Sequence, residues 1–399
     1  MPLKVAHMIT QLELGGAQRN TLYTVAHLDR ERFDPVLVSG PGGILDDEAR
    51  SQPIASEFVS CLQRDIHPVL DIVAFVQLYR WLRRERPHIV HTHSSKAGLL
   101  GRLAAYLAGV PVIVHTFHGF GFTPGQNKRV RNWFVKLERW GAHLARHLIF
   151  VSEDNRQEAE RERIHGGATT SIIRSGIQIE EDGVSTVRQE LGIPSEAWVI
   201  ASIGNFKPQK NPLELVKVAC EVVAGDPAIH VLLAGDGELR PQAEALVQSA
   251  GPADRIHFLG WRKDARALLR ASNAFVLTSL WEGLPRALVE AFASGLPAVA
   301  YAVNGVNDIL VDEGNGFSIA PHDTALAVEK LLWLKNHPQD ARRMGAAGRA
   351  RIETEFDIDR MVREQESLYD KLWAAVPLKE YYGWDLSARP PIPESKQLQ

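Results

Sequence analysis

Cysteine is nearly absent: Cys61 and Cys220 are the only two in 399 residues. Two thiols so far apart make neither a disulfide framework nor a zinc spacing, which points to a reducing, cytoplasmic home. No run of about 18 apolar residues exists, so no membrane-spanning helix is expected. An excess of one charge is also missing. Lys and Arg number 45 against 48 Asp and Glu, a formal net charge of -3, which argues against a general nucleic-acid binder. Met1-Pro2-Leu3-Lys4-Val5-Ala6-His7 runs straight into a strand pattern, so no signal peptide is expected. What is present is 45% hydrophobic and 23% charged, the composition of a globular protein long enough for two ordinary domains.

Apolar runs alternate with helical patterns along the chain. In the first half, strands are expected at 4–9, 35–38, 89–91, 112–115 and 148–151, with helices near 17–28, 69–84, 95–107, 128–146 and 153–163. The second half repeats the scheme. Its strands fall near 198–203, 229–234, 256–258, 274–277 and 298–301, its helices near 211–223, 238–249, 264–270, 286–294 and 323–335. This β-α alternation predicts an α/β protein with two parallel, doubly wound, Rossmann-like sheets. The expected domains are 1–180 and 181–356, with a linker somewhere in 174–195. An amphipathic helix over 357–376 and a Pro-rich polar tail over 377–399 follow.

The chemistry concentrates after the strand at 274–277. There the chain reads Ser279-Leu280-Trp281-Glu282-Gly283-Leu284-Pro285-Arg286, then continues apolar on helical spacing until Gly295 stops it. Pro285 suits a first helical turn, where its missing N–H costs nothing. Glu282 is therefore expected in a loop at the carboxyl end of a strand, where open α/β sheets bind ligands, and Glu290 in the following helix. A carboxylate placed there can accept two hydrogen bonds from one vicinal diol. A solvated loop Glu and an ordinary helix-face Glu are the plain alternative.

This Glu-x7-Glu spacing, in a strand–loop–Gly-Leu-Pro–helix setting, resembles the signature of the retaining glycosyltransferases of family 4, built on the GT-B fold. The resemblance implies two Rossmann-like domains facing a central cleft and a C-terminal helix, 357–376 here, crossing back to the first domain. It implies that Glu282 meets hydroxyls of the donor sugar, with Gly283 and Leu284 beside it, and that Glu290 holds the ribose of the nucleotide. Arg286, between the two, either touches the phosphates or pairs with Glu282. The segment Gly204-Asn205-Phe206-Lys207-Pro208-Gln209-Lys210 resembles the family's Gly-Arg-x-x-x-x-Lys, whose Arg and Lys clamp the donor diphosphate. Lys210 matches the Lys. Asn205 stands where the Arg would be, which removes one formal charge and leaves Lys207 as the nearby alternative. His257-Phe258-Leu259-Gly260-Trp261 resembles the stretch whose backbone meets the base.

Other loops fit the same frame. Gly15-Gly16 follows the first strand and opens a helix, a place where backbone approaches ligand closely and anions are favoured. The family sets this loop over the diphosphate, which selects Gly16. The full Gly-x-Gly-x-x-Gly spacing is absent, which counts against a nicotinamide enzyme. His91-Thr92-His93 and His115-Thr116-Phe117-His118-Gly119 crowd two strand ends. A metal site and half-buried strand-end histidines are both open readings. No Asp, Glu or Cys at ligand spacing accompanies them, so no metal is expected. The family's His-Thr-x-His-Gly stretch puts a histidine beside the donor sugar, and His118 matches it. Phe117, Phe120 and Phe122 either shape the acceptor side or simply pack. Asn304-Gly305-Val306 is expected to open onto a helix N-terminus.

Residues 128–146 carry Lys128, Arg129, Arg131, Lys136, Arg139 and Arg146 against Glu138 alone, interleaved with Trp133, Phe134 and Trp140. Such a helix either lies on an anionic membrane face or is a solvated helix with one core face. The activity implied by the resemblance is transfer of a sugar from a nucleotide-sugar, UDP-linked on family frequency, to an acceptor hydroxyl with retention. No cofactor is expected. A saccharide or lipid-linked acceptor in cell-surface polysaccharide or glycolipid synthesis fits, with the enzyme at the inner face of the membrane. The rivals are a nucleotide-sugar epimerase of the same fold and a non-catalytic GT-B scaffold. Glu282 and Glu290 speak against the first, and Asn205 is the one hint of the second.

Overall fold

The computed structural model describes residues 1–123, 125–179, 183–251 and 253–377. The chain forms two compact units: unit 1 joins Met1–Gly176 to the stretch from Ile358 onward, and unit 2 is Ile177–Asp357. The boundary expected at 180/181 and the tail expected beyond 377 lie outside the described residues.

Unit 1 is built on seven strands: β1 Leu3–Gln11, β2 Phe33–Gly40, β3 Ala55–Phe58, β4 Ile89–His93, β5 Val112–Phe117, β6 His147–Phe150 and β7 Thr169–Ile172. Their order is β3-β2-β1-β4-β5-β6-β7, and every pairing is parallel. β1, β4 and β5 are buried along almost their whole length, but only part of each is apolar: His7, His91, Thr92, His93, His115 and Thr116 are buried polar residues on these strands. Strand order reverses between β1 and β4. Connections leaving their carboxyl ends therefore diverge, and that divergence leaves room for a ligand.

The helix Ile358–Ala374 belongs to unit 1, as expected for a helix that returns to the first domain. Its apolar face, Ile358, Met361, Val362, Tyr369, Leu372 and Trp373, shares one buried cluster with Leu3, Val5, Phe33 and Val112. Each such large side chain contributes about 1.5–3 kcal/mol on burial. Polar ties fix the register of this packing. Tyr23 donates its hydroxyl to Asp359 at 2.7 Å, and Arg32 pairs with Asp370 and, at 3.3 Å, with Glu366.

Unit 2 carries β8 Trp198–Ile203, β9 Ile229–Ala234, β10 Ile256–Gly260, β11 Ala274–Leu277, β12 Ala298–Tyr301 and β13 Gly316–Ile319. The order β10-β9-β8-β11-β12-β13 repeats the design, all parallel, with its reversal between β8 and β11. One large apolar cluster forms most of the core, and a smaller one around Val187, Val199, Leu232 and Leu268 completes it.

Three strands were not anticipated: β3, β7 and β13. Each is four residues long and lies at a sheet edge. β3 and β7 are half exposed, so no apolar run marks them. Two further expectations need correction. The helix expected over 128–146 stops at Ala142, and the next residues turn so that the Arg146 N–H meets the Ile113 carbonyl at 2.8 Å and starts β6. Asn304-Gly305-Val306 opens onto successive turns rather than a helix, with Gly305 left-handed at φ 78. The next α-helix is Thr324–Asn336.

Candidate functional site

β8 and β11 pair through Ala274 with Ile200 and Phe275 with Ala201, which brings their carboxyl ends side by side. The chain after β8 makes the short 3-10 turn Pro208–Lys210, and the chain after β11 makes the loop holding Glu282. The Lys210 ammonium donates to the Glu282 carboxylate. Three ties hold the two loops in that register. The Leu280 N–H meets the Gln209 carbonyl at 2.8 Å, Gln209 Nε2 donates to the Trp281 carbonyl at 2.9 Å, and Thr278 Oγ1 donates to the Lys210 and Asn211 carbonyls at 3.2 Å. The Glu282 side chain is only 6% exposed, so its charge depends on Lys210 for compensation.

Behind this pair the backbone is crowded. A Cβ on Gly305 would collide with the Gly283 carbonyl oxygen, so the positive φ and the close approach both require glycine there. Leu284 packs its side chain onto the core. Arg286 opens the helix Arg286–Ala293, and its Nε donates to Glu290 Oε1 at 2.8 Å, one turn on. Of the two partners open to Arg286, a phosphate or Glu282, the fold offers a third, Glu290. Asn205 and Lys210 line one concavity with Gly204, Phe206, Leu277 and Thr278.

Glu214 was not singled out from the sequence. It accepts from Asn211 Nδ2 at 2.6 Å and from the Tyr301 hydroxyl at 2.8 Å, and meets His322 Nδ1 at 2.8 Å. Burial works to raise its pKa, but these hydrogen bonds outweigh it and hold the carboxyl below the usual range. Asn211, the residue after Lys210, is left-handed at φ 49 and is fixed by this contact. The signal was available: Asn211-x-x-Glu214 before an apolar helix is a capping-box spacing.

In unit 1, Gly15 is the N-cap and Gly16 the first residue of the helix Gly16–His27, a short loop after β1. The ends of β1 and β4 are joined by Thr10 Oγ1 and Ser94 Oγ at 2.7 Å, and Thr10 Oγ1 also accepts the Ala97 N–H at 3.1 Å. Ser94 holds φ 61, a conformation that costs a non-glycine residue energy and that no local sequence pattern marks.

His118 follows β5 and contacts a buried cluster of histidines. His93 Nδ1 lies 3.2 Å from His118 Nε2, and His93 Nε2 lies 3.1 Å from His7 Nδ1. His7 Nε2 reaches the Tyr369 hydroxyl at 3.2 Å, and His91 spans that same hydroxyl at 2.5 Å and Thr116 Oγ1 at 2.6 Å. Burial lowers the pKa of His7 to about 3 and of His118 to about 4, and takes His91 and His93 well below the ordinary value. These rings are neutral at pH 7. His7, His91 and His93 bring nitrogens within 4.8 Å of one another, yet every nitrogen of the three already has a hydrogen-bond partner that a metal would displace. The phenylalanines beside His118 pack: Phe117 stacks on Phe150 at 5.3 Å and Phe120 on Phe122 at 4.7 Å.

The helix Lys128–Ala142 buries Val135, Glu138, Gly141 and Ala142. Arg131 and Arg139 are drawn to Glu162, while Arg129, Trp133, Lys136 and Trp140 stand exposed on a second face at helical spacing. No helix among the described residues is long and apolar enough to cross a membrane.

Comparison with known proteins agrees with this architecture. The family model "Glycosyltransferase Family 4" matches residues 14–181, and "Glycosyl transferases group 1" matches residues 184–351. The chain is 34% identical over 338 residues to the UDP-Gal:alpha-D-GlcNAc-diphosphoundecaprenol alpha-1,3-galactosyltransferase of Escherichia coli, covering 83% of this chain and 87% of that one. Among solved structures, HepE of Anabaena in complex with UDP and glucose superposes with a TM-score of 0.79 at 18% identity, over 92% of this chain and 100% of that one. Sucrose-phosphate synthase of Thermosynechococcus elongatus superposes with a TM-score of 0.80 at 19% identity, over 94% and 100%. These two establish the fold.

Proposed function

The chain belongs to glycosyltransferase family 4, and on that premise we propose that it transfers a hexosyl group from a UDP-sugar to a hydroxyl of a lipid-linked saccharide, with retention and without a metal. The observation that carries the proposal is the Lys210–Glu282 pair, set at the strand-order reversal of the second sheet. A diphosphate arriving beside Lys210 competes with Glu282 for the ammonium. Once Lys210 turns to the diphosphate, the Glu282 carboxylate is available to hydroxyls of the sugar. Lys210 then opposes the charge that builds on the leaving UDP, the kind of electrostatic contribution that usually dominates catalysis. Glu290 takes the ribose hydroxyls, with Arg286 holding its carboxylate in place and Gly283 and Leu284 shaping the loop. Within unit 1, Gly16 lies at a helix N-terminus suited to phosphate, and His118 is a neutral ring able to accept from a sugar hydroxyl.

In this reading the acceptor hydroxyl attacks on the face that the diphosphate leaves. The departing phosphate oxygen takes the proton, so no side chain need be a strong base. The E. coli relative acts on a diphosphoundecaprenol-linked sugar, which supports a lipid-linked acceptor here. The stripe Arg129–Trp133–Lys136–Trp140 supports contact with an anionic membrane surface, basic groups meeting headgroups and indoles sitting at the interface. That placement means the cytoplasmic face.

The test is transfer from radiolabelled UDP-sugars, UDP-galactose first, to a short-chain lipid diphosphate-GlcNAc, with and without chelator. An α-linked product formed equally in both conditions is expected. Absence of transfer from every UDP-sugar overturns the proposal, and loss of transfer with chelator overturns its metal-free part.

A further inference from the structure

The buried histidines of unit 1 form a directed chain, and its direction can be worked out from proton counting. Tyr369 has one proton to donate and three neighbours: Gln365 Oε1 at 3.3 Å, His91 Nδ1 at 2.5 Å and His7 Nε2 at 3.2 Å. Gln365 Nε2 donates to Thr24 Oγ1, which turns its carbonyl oxygen toward Tyr369. An amide oxygen can only accept, so Tyr369 supplies that proton. If the shorter contact to His91 takes it instead, the outcome for His7 is unchanged. In both cases His7 donates Nε2–H to the Tyr369 oxygen; the reverse, Tyr369 giving its proton to His7, would deny it both to the Gln365 oxygen and to the closer His91 nitrogen.

The rest follows ring by ring, because a neutral imidazole has one donor and one acceptor. With Nε2 protonated, His7 Nδ1 accepts, so His93 donates its Nε2–H across the 3.1 Å contact. His93 Nδ1 then accepts, so His118 donates its Nε2–H across 3.2 Å. His118 Nδ1 is left with a lone pair that no hydrogen bond among the described residues takes up. Gly119, at φ 154, makes the backbone turn directly after this ring.

We propose that Tyr369, His7 and His93 are positioning residues, a hydrogen-bonded relay that orients His118 and fixes it as the Nε2–H tautomer, so that Nδ1 is the acceptor presented to a sugar hydroxyl. This deepens the reading of His118 as the group that meets the donor sugar and rests on it. The relay begins on the helix Ile358–Ala374 and crosses β1 and β4, so it links that helix to the residue after β5. Its rings are neutral at working pH, which is the state such a chain requires. Opposite polarity would move the one N–H of His118 to Nδ1 and engage Nε2 as the acceptor from His93, and the sugar hydroxyl would lose its acceptor.

The test uses nitrogen-15 spectra of the full chain, with His118 identified by loss of its signals in His118→Gln. In the native protein, His118 is expected as Nε2–H with an unprotonated Nδ1. Tyr369→Phe keeps the ring but removes the acceptor of His7. An orphaned buried N–H is tolerated less well than an orphaned lone pair, so the chain is expected to reverse and His118 to become Nδ1–H. In that variant kcat falls about tenfold or more, short of the ~10²–10⁴ that a directly acting group supplies, while donor KM stays unchanged. His7→Gln, whose amide donates to Tyr369 and accepts from His93, is expected to retain the native tautomer. A native His118 found as Nδ1–H, or a tautomer unmoved by Tyr369→Phe, overturns the relay without touching the catalytic reading. Bound metal at stoichiometric level in the purified protein also overturns it. If His118→Gln transfers at the native rate, the catalytic reading itself fails, whatever the tautomer.

Discussion

Lys210 and Glu282 pair directly although 72 positions separate them, because β8 and β11 are neighbours in the second sheet. Glu282 is nearly buried, and Lys210 is the cation that keeps its charge compensated. Lys210→Ala is expected to lower transfer at saturating donor by about 10²–10³-fold, the usual effect of removing one group aimed at developing charge. Lys210→Arg should recover part of the rate. Single-turnover rates decide the matter; a loss confined to donor KM would show that Lys210 only binds.

Glu290 is held by Arg286 at 2.8 Å and is 14% exposed. Glu290→Ala removes the acceptor proposed for the ribose and should weaken UDP binding by about 1–3 kcal/mol, the range for a buried polar partner left unmade. Calorimetric titration with UDP reads this directly. Unchanged affinity takes Glu290 off the ribose.

Stability offers a separate check. Arg102, fully buried, donates to Glu138 at 2.9 Å and joins the helix Ser95–Ala108 to the helix Lys128–Ala142. Glu138→Ala leaves the guanidinium uncompensated and is expected to cost about 3–5 kcal/mol. Replacing both, Arg102→Met with Glu138→Leu, should restore most of that loss, as read from urea midpoints.

Acid should act on the histidine cluster. Unfolded histidines take up protons below about pH 6.5, whereas His7 resists to about 3 and His118 to about 4. The unfolded state therefore binds more protons across that interval, and stability falls as pH drops from about 6.5 toward 4. The urea midpoint at pH 5 is expected well below that at pH 7.5. Equal midpoints would mean the rings already titrate in the folded state.

Fold and site were legible to different depths. β8, β9, β11 and β12 begin and end where the apolar runs do, since strands covered on both faces must be apolar throughout. Edge strands such as β3 face solvent and carry no such mark. Glu282, Lys210 and Gly16 could be placed beside strand ends from spacing alone. What Arg286 pairs with could not, although its i to i+4 relation to Glu290 is a local rule that favoured the outcome. The histidine cluster lay beyond local rules: His7 meets His93 across 86 positions, and Tyr369 meets His7 across 362. Only the sheet order makes those rings neighbours.

The helix Ile358–Ala374 also sets an order of assembly. As the chain leaves the ribosome, Leu3, Val5 and Phe33 emerge long before the Tyr369 and Trp373 that cover them. The second sheet can complete itself from contiguous chain, whereas the first waits with one apolar face exposed. A chain truncated before residue 358 therefore keeps all of unit 2 but leaves that face of the first sheet uncovered. The element that arrives last carries the first hydroxyl of the histidine chain, so His118 gains its fixed proton only once synthesis has passed Tyr369.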